Sequence, residues 1–527
     1  MLLNRLLKFR VLRDKVCFIY IINMENIKVL FFSANPATMS LVPPVVALFY
    51  SIFKKNNIEM RYFDTQAYDT SALYADPNVF LHSTLMAKGE NIVNERTAKK
   101  SKDGSMIFSD FKAEAKEWQP DVIMGSATES AFLFARDLFQ SVRKLNIPHV
   151  LGGVFSTFAP EVAIGFPEID IVCNGEGEKI IVPLSRKIKL KEDLCSLQNI
   201  WFKDSTGNAV KTPVGSVVSL DENPPFDASI YDDDRFYRTM GGVMYRMFPV
   251  ETHRGCPLKC TFCNSPIQDS WYKEKTGQGY FRKKSIKNVL ADIRYFVKNY
   301  NAEYFFFWAD NFFSYNRQEI EEFCTEYADI KLPFYVQTYP TTIDDVKLKN
   351  LVEVGLDRIG IGIEHGNEEF RRKVINRVYS NKKAIAGVNL IKKYDVQYSC
   401  NNIVGFPTET PELHEETVEL NRILEPHDAS AAIFTPFHGT PLRKLSLEKG
   451  YLKDPHFIAP TNAETSCLDM PQFTKEQITG KSRTFILYLR FPRDRWNDIR
   501  HAESLTPEGN KIWMELKEEY KQMCDQE

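Results

Sequence analysis

Short apolar runs alternate along the chain with longer amphipathic stretches. Residues 27–34 (IKVLFFSA) form a near-continuous apolar run ending in small residues, the pattern of a strand buried on both faces. A helix is expected at 43–54, then strands at 58–64, 121–126 (DVIMGS), 149–153 (HVLGG) and 169–174 (IDIVCN), with a helix at 130–145. Strands separated by helix-length segments indicate βαβ units and a parallel sheet, so residues 27–200 predict a doubly wound, Rossmann-like α/β domain. The stretch 66–119 is longer than an ordinary connection and polar in its middle, which marks an insertion or lid. Residues 201–240 lack periodicity, contain Asn223-Pro224-Pro225-Phe226-Asp227 and an acidic run at 231–234, and read as a linker.

A second α/β series follows, with strands expected at 247–252, 304–308, 334–338, 358–364, 397–404 and 431–436. Between the first two, Ser285 caps an amphipathic helix carrying Ile286, Val289, Leu290, Ile293, Phe296 and Val297 on one stripe. Thr410-Pro411-Glu412 opens another helix with a cap, a first-turn proline and an acid near the positive end. Six β/α units across 241–442 predict a partial (β/α)6 TIM-like barrel, and 443–527 reads as a charged helical region.

At 527 residues the chain is long enough for about two to four domains. Lysine plus arginine number 67 against 69 acidic residues, a formal charge of −2, so there is no basic excess to hold a phosphate backbone and no nucleic acid partner is expected. The best apolar run, 16–22, falls short of the roughly 18–20 residues that cross a bilayer, so no membrane span is expected. Residues 1–26 carry Arg5, Lys8, Arg10, Arg13 and Lys15 ahead of that run without a small-x-small cleavage site. They read as a basic extension, with Met24 as a second usable start and a cytoplasmic location. Ten cysteines in so long a chain make no small-domain disulfide framework, and three fall within eight positions, which points to a metal in a reducing compartment.

Those three lie in Arg254-Gly255-Cys256-Pro257-Leu258-Lys259-Cys260-Thr261-Phe262-Cys263, just after the first strand of the second series. A loop this short can wrap a polynuclear iron–sulfur cube but supplies three ligands where a closed site wants four, leaving one metal position open. The rival reading is a structural zinc completed by His253 or His365. Cys173, Cys324 and Cys400 sit in apolar elements and read as core residues, and His253 as a packing residue.

The spacing Cys-x3-Cys-x-aromatic-Cys, with Phe262 in the aromatic place, resembles the signature of radical S-adenosylmethionine enzymes. The resemblance implies a [4Fe-4S] cluster on Cys256, Cys260 and Cys263, S-adenosylmethionine chelated at the open iron, and an electron donor such as flavodoxin or ferredoxin. Further segments resemble the family's barrel motifs in the right order. Phe307-Trp308-Ala309-Asp310-Asn311 implies Asp310 or Asn311 on the methionine amino group, and Gly360 to Gly366 implies Glu364 as a polar contact, with His365 where serine is usual. The stretch Asn402 to Thr410 implies Asn402 and the Gly405 backbone near adenine, and His438-Gly439-Thr440-Pro441 ends the barrel with His438 in place of proline.

The first domain carries small and hydroxyl residues after its strands, at Gly125-Ser126-Ala127-Thr128, Gly152 to Thr157 and Gly175-Glu176-Gly177-Glu178, where parallel sheets bind nucleotide-like ligands. Ahead of such a barrel they resemble the cobalamin-binding domain of the B12-dependent subfamily. The resemblance implies Ser126, Gly152, Gly153 and Thr157 around the nucleotide tail, with Gly175 and Glu176 passing toward the barrel. The loop 35–40 lacks the Asp-x-His-x-x-Gly element that supplies a histidine below the cobalt in many cobalamin enzymes. The function implied first is a methyltransferase acting on an unactivated carbon of a small-molecule, lipid or peptide substrate through a 5′-deoxyadenosyl radical and methylcobalamin. A non-methylating cyclisation or rearrangement and a non-catalytic corrinoid or iron–sulfur binding protein are the alternatives. A methylthio-transferring modifier of transfer RNA would need a second three-cysteine set among the scattered Cys17, Cys173 and Cys195.

Overall fold

Five of the six predicted strands of the second series, and all five of the first, stand within a few residues of their expected places. The computed structural model describes residues 27–35, 42–70, 73, 102–460 and 465–526. The basic extension, Met24, most of the loop 35–40 and residues 71–101 of the expected insertion, Leu73 apart, lie outside them. The chain divides into two units, one ending at Asp232 and one running on from Asp233.

The first unit holds a seven-stranded sheet of β1 (Ile27–Ser33), β2 (Ile58–Phe63), β3 (Val122–Ser126), β4 (His149–Gly152), β5 (Ile171–Cys173), β6 (Ile200–Lys203) and β7 (Ala209–Lys211). The order is β2-β1-β3-β4-β5-β6-β7, parallel as far as β5 and antiparallel beyond it. This is the doubly wound 2-1-3-4-5 arrangement, whose order reverses between β1 and β3. Helices α1 (Pro44–Lys55), α2 (Ile107–Trp118), α3 (Phe132–Val142) and α4 (Ile181–Leu190) provide the connections. Phe32 packs edge-on against Phe111 of α2 and Phe139 of α3, with ring centroids 5.5 and 5.0 Å away. The segment read as linker contributes β7 and nearly all of β6. These strands are too short for an alternation to register.

The second unit begins with a hairpin, β8 (Tyr237–Met240) antiparallel to β9 (Val243–Glu251). Parallel strands β10 (Tyr304–Trp308), β11 (Phe334–Thr338), β12 (Leu356–Glu364), β13 (Gln397–Val404) and β14 (Asp428–Ile433) add in chain order. The last was expected three residues later, at 431–436; Thr435 and Pro436 continue its apolar run but stand beyond the ladder with β13. Among the described residues β14 does not pair with β9, so the barrel is open and partial. Its helices are α5 (Asn264–Thr276), α6 (Ile286–Tyr300), α7 (Arg317–Tyr327), α8 (Asp345–Val354), α9 (Asn381–Lys393) and α10 (Pro411–Leu424). Ser285 and Thr410 cap α6 and α10 as predicted, accepting from Asn288 N and Leu413 N.

The C-terminal region is helical, with α11 (Pro441–Glu448), α12 (Lys475–Arg490), α13 (Trp496–Ala502) and α14 (Pro507–Gln526). Helix α12 lies against the outer edge of β14, where Ser482 Oγ donates to Ala431 O at 2.7 Å. Buried Arg483 ties α12 to the last helices through Ala502 O and Asn510 Oδ1.

Candidate active site

The three cysteines follow β9 at the carboxyl end of the parallel strands, and none is in a disulfide. Cys263 caps α5, its Sγ accepting from Ser265 N at 3.4 Å. Burial pushes the Cys256 and Cys263 thiols up to about 12. The charges of Asp310 and Cys260 add to both, and that of Cys256 to Cys263. The three sulfurs and Asp310 are therefore within electrostatic reach of one another. Desolvation holds the Cys256 and Cys263 thiols protonated, and a bound cation would deprotonate them; among the described residues the three sulfurs are not drawn into a closed metal-holding group, so the loop fits an iron–sulfur cluster by donor type and spacing. His253 and His365 are engaged elsewhere: His253 Nδ1 lies 3.1 Å from Thr252 Oγ1, and His365 faces Glu409.

The residue that organises this corner is Arg377, which the sequence reading missed. Its Nε donates to Cys260 Sγ at 3.2 Å, Nη2 pairs with Glu364 Oε1 at 3.0 Å and Nη1 donates to Gly362 O. The guanidinium stands 5.5 Å from the Phe262 ring centre and 5.0 Å from that of Tyr339. Glu364 ends β12 with φ 67°, a left-handed conformation that costs a non-glycine residue about 1–2 kcal/mol. Burial raises its carboxyl pKa, against the pull of Arg377.

Asp310 and Asn311 follow β10. The Asp310 carboxylate is accessible yet hemmed in by protein, which raises its pKa, and it accepts from Ser265 Oγ at 3.0 Å. Asn311 is buried; its Oδ1 accepts from Thr338 and Thr342 hydroxyls at 2.9 and 3.1 Å, while its Nδ2 has no partner. An orphaned buried amide donor beside three thiols fits a ligand carrying carboxylate or carbonyl oxygens.

The strand-end segment after β13 is built differently from the expectation. Asn402 is spent inside the fold, its amide exchanging hydrogen bonds with Asn421 of α10 and donating to Cys400 O and Ser430 O. Gly405, at φ 85°, makes its close approach to Ile478 of α12, where an added Cβ would stand 2.9 Å from Cγ2. Fully buried Glu409 anchors this segment, Oε2 accepting from Gly405 N at 2.7 Å and Phe406 N at 2.9 Å. His365 Nε2 and His414 Nδ1 lie 3.3 and 3.8 Å from its Oε1. Burial alone would raise the Glu409 pKa; the two histidines outweigh it and hold the carboxyl at about 2. A file of rings, His365, Phe370, Phe406 and Phe262, carries contact from this cluster back to the cysteine loop.

In the first unit, Ser126 and Gly152 end β3 and β4 beside the reversal of strand order, and a Cβ at Gly152 would meet nothing nearer than 3.8 Å. Gly153 has φ 105°, and a Cβ there would stand 2.3 Å from Ala127 O. Thr157 Oγ1 donates to Gly153 O and accepts from Gly175 N, bracing the two loops. Glu176 is turned inward, its Oε2 accepting from Val218 N at 2.7 Å. The uncovered strand ends at Ser126 and Gly152 fit a flat ligand lying on backbone. Cys173, Cys324 and Cys400 are buried, as expected of core residues.

Residues 250–420 match the family model of the radical SAM superfamily. An uncharacterised methyltransferase of Pyrococcus horikoshii is 25% identical over 75% of this chain and 84% of its own length. An anaerobic magnesium-protoporphyrin IX monomethyl ester cyclase of Cereibacter sphaeroides is 28% identical over 62% of this chain, a match that spans 53% of the cyclase. Among solved structures, the radical S-adenosylmethionine methyltransferase TsrM of Kitasatospora setae, with cobalamin and a [4Fe-4S] cluster bound, matches at TM-score 0.57 and 16% identity, covering 87% of this chain and 81% of that one. The cobalamin-dependent S-adenosylmethionine radical enzyme OxsB matches at TM-score 0.62 and 14% identity, covering 95% and 72%. The chain thus carries a radical SAM match over residues 250–420 and has the fold of these solved cobalamin-dependent enzymes.

Proposed function

We propose that this chain is a cobalamin-dependent radical S-adenosylmethionine methyltransferase that modifies an unactivated carbon. The observation that carries the reading is the placement of Cys256, Cys260 and Cys263 on one loop at the carboxyl end of the parallel strands, with Arg377 on the Cys260 sulfur and Glu364 behind it. Cys256, Cys260 and Cys263 would hold a cluster that would supply the electron for reductive cleavage of S-adenosylmethionine, and the Ser126 and Gly152 strand ends would hold cobalamin as the methyl carrier. The protein's part is to position. Asp310 and Asn311 offer an acceptor and a donor to the methionine end, Glu409 fixes the Gly405–Phe406 backbone, and Phe406 in turn packs on Phe262 of the cysteine loop.

The methyltransferase names of the Pyrococcus relative and of TsrM support methylation; the cyclase relative supports a second reading in which both cofactors serve a non-methylating cyclisation. Anaerobic turnover with methyl-labelled S-adenosylmethionine separates them, since label enters the product only in the first. Cys256→Ala is expected to lower bound iron and abolish 5′-deoxyadenosine formation under dithionite; undiminished formation would contradict the ligand assignment.

A further inference from the structure

Parallel sheets in α/β proteins are ordinarily buried on both faces, and barrel interiors are filled by layers of branched side chains. The second sheet departs from this on the face away from its helices. Odd positions of β10 point to the helical layer, with Phe307 packed on Phe323 of α7 at 5.6 Å. Even positions take the other face, where Trp308 is 47% exposed. The same alternation continues across the sheet. On β13, Ser399, Asn401 and Ile403 are half-buried between fully buried neighbours. On β14, Ser430 is half-buried and Ala432 exposed. On β12 this face carries Gly360 and Gly362, and the room their missing side chains leave is taken by the Tyr335 hydroxyl over the first and by the Glu364–Arg377 pair over the second.

The lining is divided. One wall is aromatic: Phe306 stacks on Tyr335 with centroids 4.7 Å apart and planes 23° from parallel, and Trp308 stands beyond them toward the carboxyl end. The Tyr335 hydroxyl lies over Gly360, where an added Cβ would meet it at 2.1 Å, and reaches Ser399 and Gln337. The opposite wall is small and hydrogen-bonding. Charged side chains stand at the borders of this face: Arg358 and Asp428 at one end, the Glu364–Arg377 pair at the other, and Glu251 of β9, in register with Trp308 and paired with Arg254.

We infer that this face is a substrate chamber taking a molecule with a planar aromatic ring, the ring laid on Trp308 and the Phe306–Tyr335 pair and its polar edge toward Asn401 and Ser430. This rests on the radical-enzyme reading and narrows its substrate class. An aromatic ring finds a stacking wall, and ring pairs add roughly 0.5–1.5 kcal/mol beyond burial, up to about tenfold in affinity.

The test is a fluorine NMR titration of the reconstituted full chain with 5-fluoroindole, with cyclohexanol as a non-aromatic competitor. Saturable binding that cyclohexanol fails to displace is expected, weakened about tenfold by Trp308→Ala, restored by Trp308→Phe and blocked by Ala432→Trp, with iron content reporting folding of each variant. Equal displacement by cyclohexanol, or unaltered binding in Trp308→Ala and Ala432→Trp, would overturn the inference. Assaying 5′-deoxyadenosine in the same preparations separates the failures: cleavage without aromatic binding sinks the chamber alone, and loss of both in the wild-type protein sinks the reading beneath it.

Discussion

Removing the Glu409 carboxylate should loosen one segment far more than the rest of the chain. In Glu409→Ala the amides of Gly405 and Phe406 lose their shared acceptor, now 2.7 and 2.9 Å away, in a place without solvent. Each orphaned buried donor costs about 1–3 kcal/mol, so the pair costs about 2–6 kcal/mol. Expressed as local opening, that is at least about a 30-fold loss of amide hydrogen-exchange protection at 405–406, read by mass spectrometry of the peptide. Glu409→Gln keeps a neutral acceptor, and its loss should be about half as large in free energy. The acid limb follows the same carboxyl. Its pKa in the folded protein, about 2, lies below the ordinary 4.5, so its contribution of about 3 kcal/mol is complete above pH 4.5 and drains away as pH falls toward 2. Acid unfolding of Glu409→Gln should be flatter across that window. Wild-type protection at 405–406 in Glu409→Ala would refute the reasoning.

Arg377→Met should leave Glu364 buried without its counter-ion, a cost of about 3–5 kcal/mol visible as a lower urea midpoint; an unchanged midpoint would mean the pair contributes nothing. Gly152→Ala and Gly153→Ala should part company. The first adds a methyl at ordinary contact distance, 3.8 Å from Cys173 Cβ and Gly125 O, so the fold should keep its stability within about 0.5 kcal/mol while corrinoid absorbance on the purified protein falls. The second forces a Cβ against Ala127 O at φ 105° and should cost about 1–3 kcal/mol even without corrinoid, seen as a lower thermal midpoint.

The order of elements was legible because apolar runs of five to nine residues, separated by capped helices, leave few other packings. Ser285 and Thr410 were readable as caps because capping is a local interaction. The strands β6 and β7, at four and three residues, carry too little alternation to stand out from a linker. The cysteines were legible through spacing within one loop. Arg377 was not: it reaches Cys260 from 117 residues away, and an arginine among Val374, Ile375 and Val378 gives no sign of what it pairs with. The cluster of His365, Glu409 and His414 was hidden for the same reason. Its three members come from the end of β12, the segment after β13 and helix α10, and only folding brings them together. Asn402, expected near a cofactor, exchanges amide hydrogen bonds with Asn421 on the neighbouring helix, a long-range pairing that no local pattern announces.

Both margins of the open barrel are guarded by different means, a reversed strand at β8 on one side and helix α12 across β14 on the other. A fragment ending before Lys475 would keep Cys256, Cys260, Cys263 and every strand yet bare a row of unpaired backbone groups along β14, an invitation to intermolecular pairing. Trimming the chain to its apparent chemistry would therefore yield a sticky protein, and the tail with no chemistry of its own is what keeps the catalytic half from self-associating.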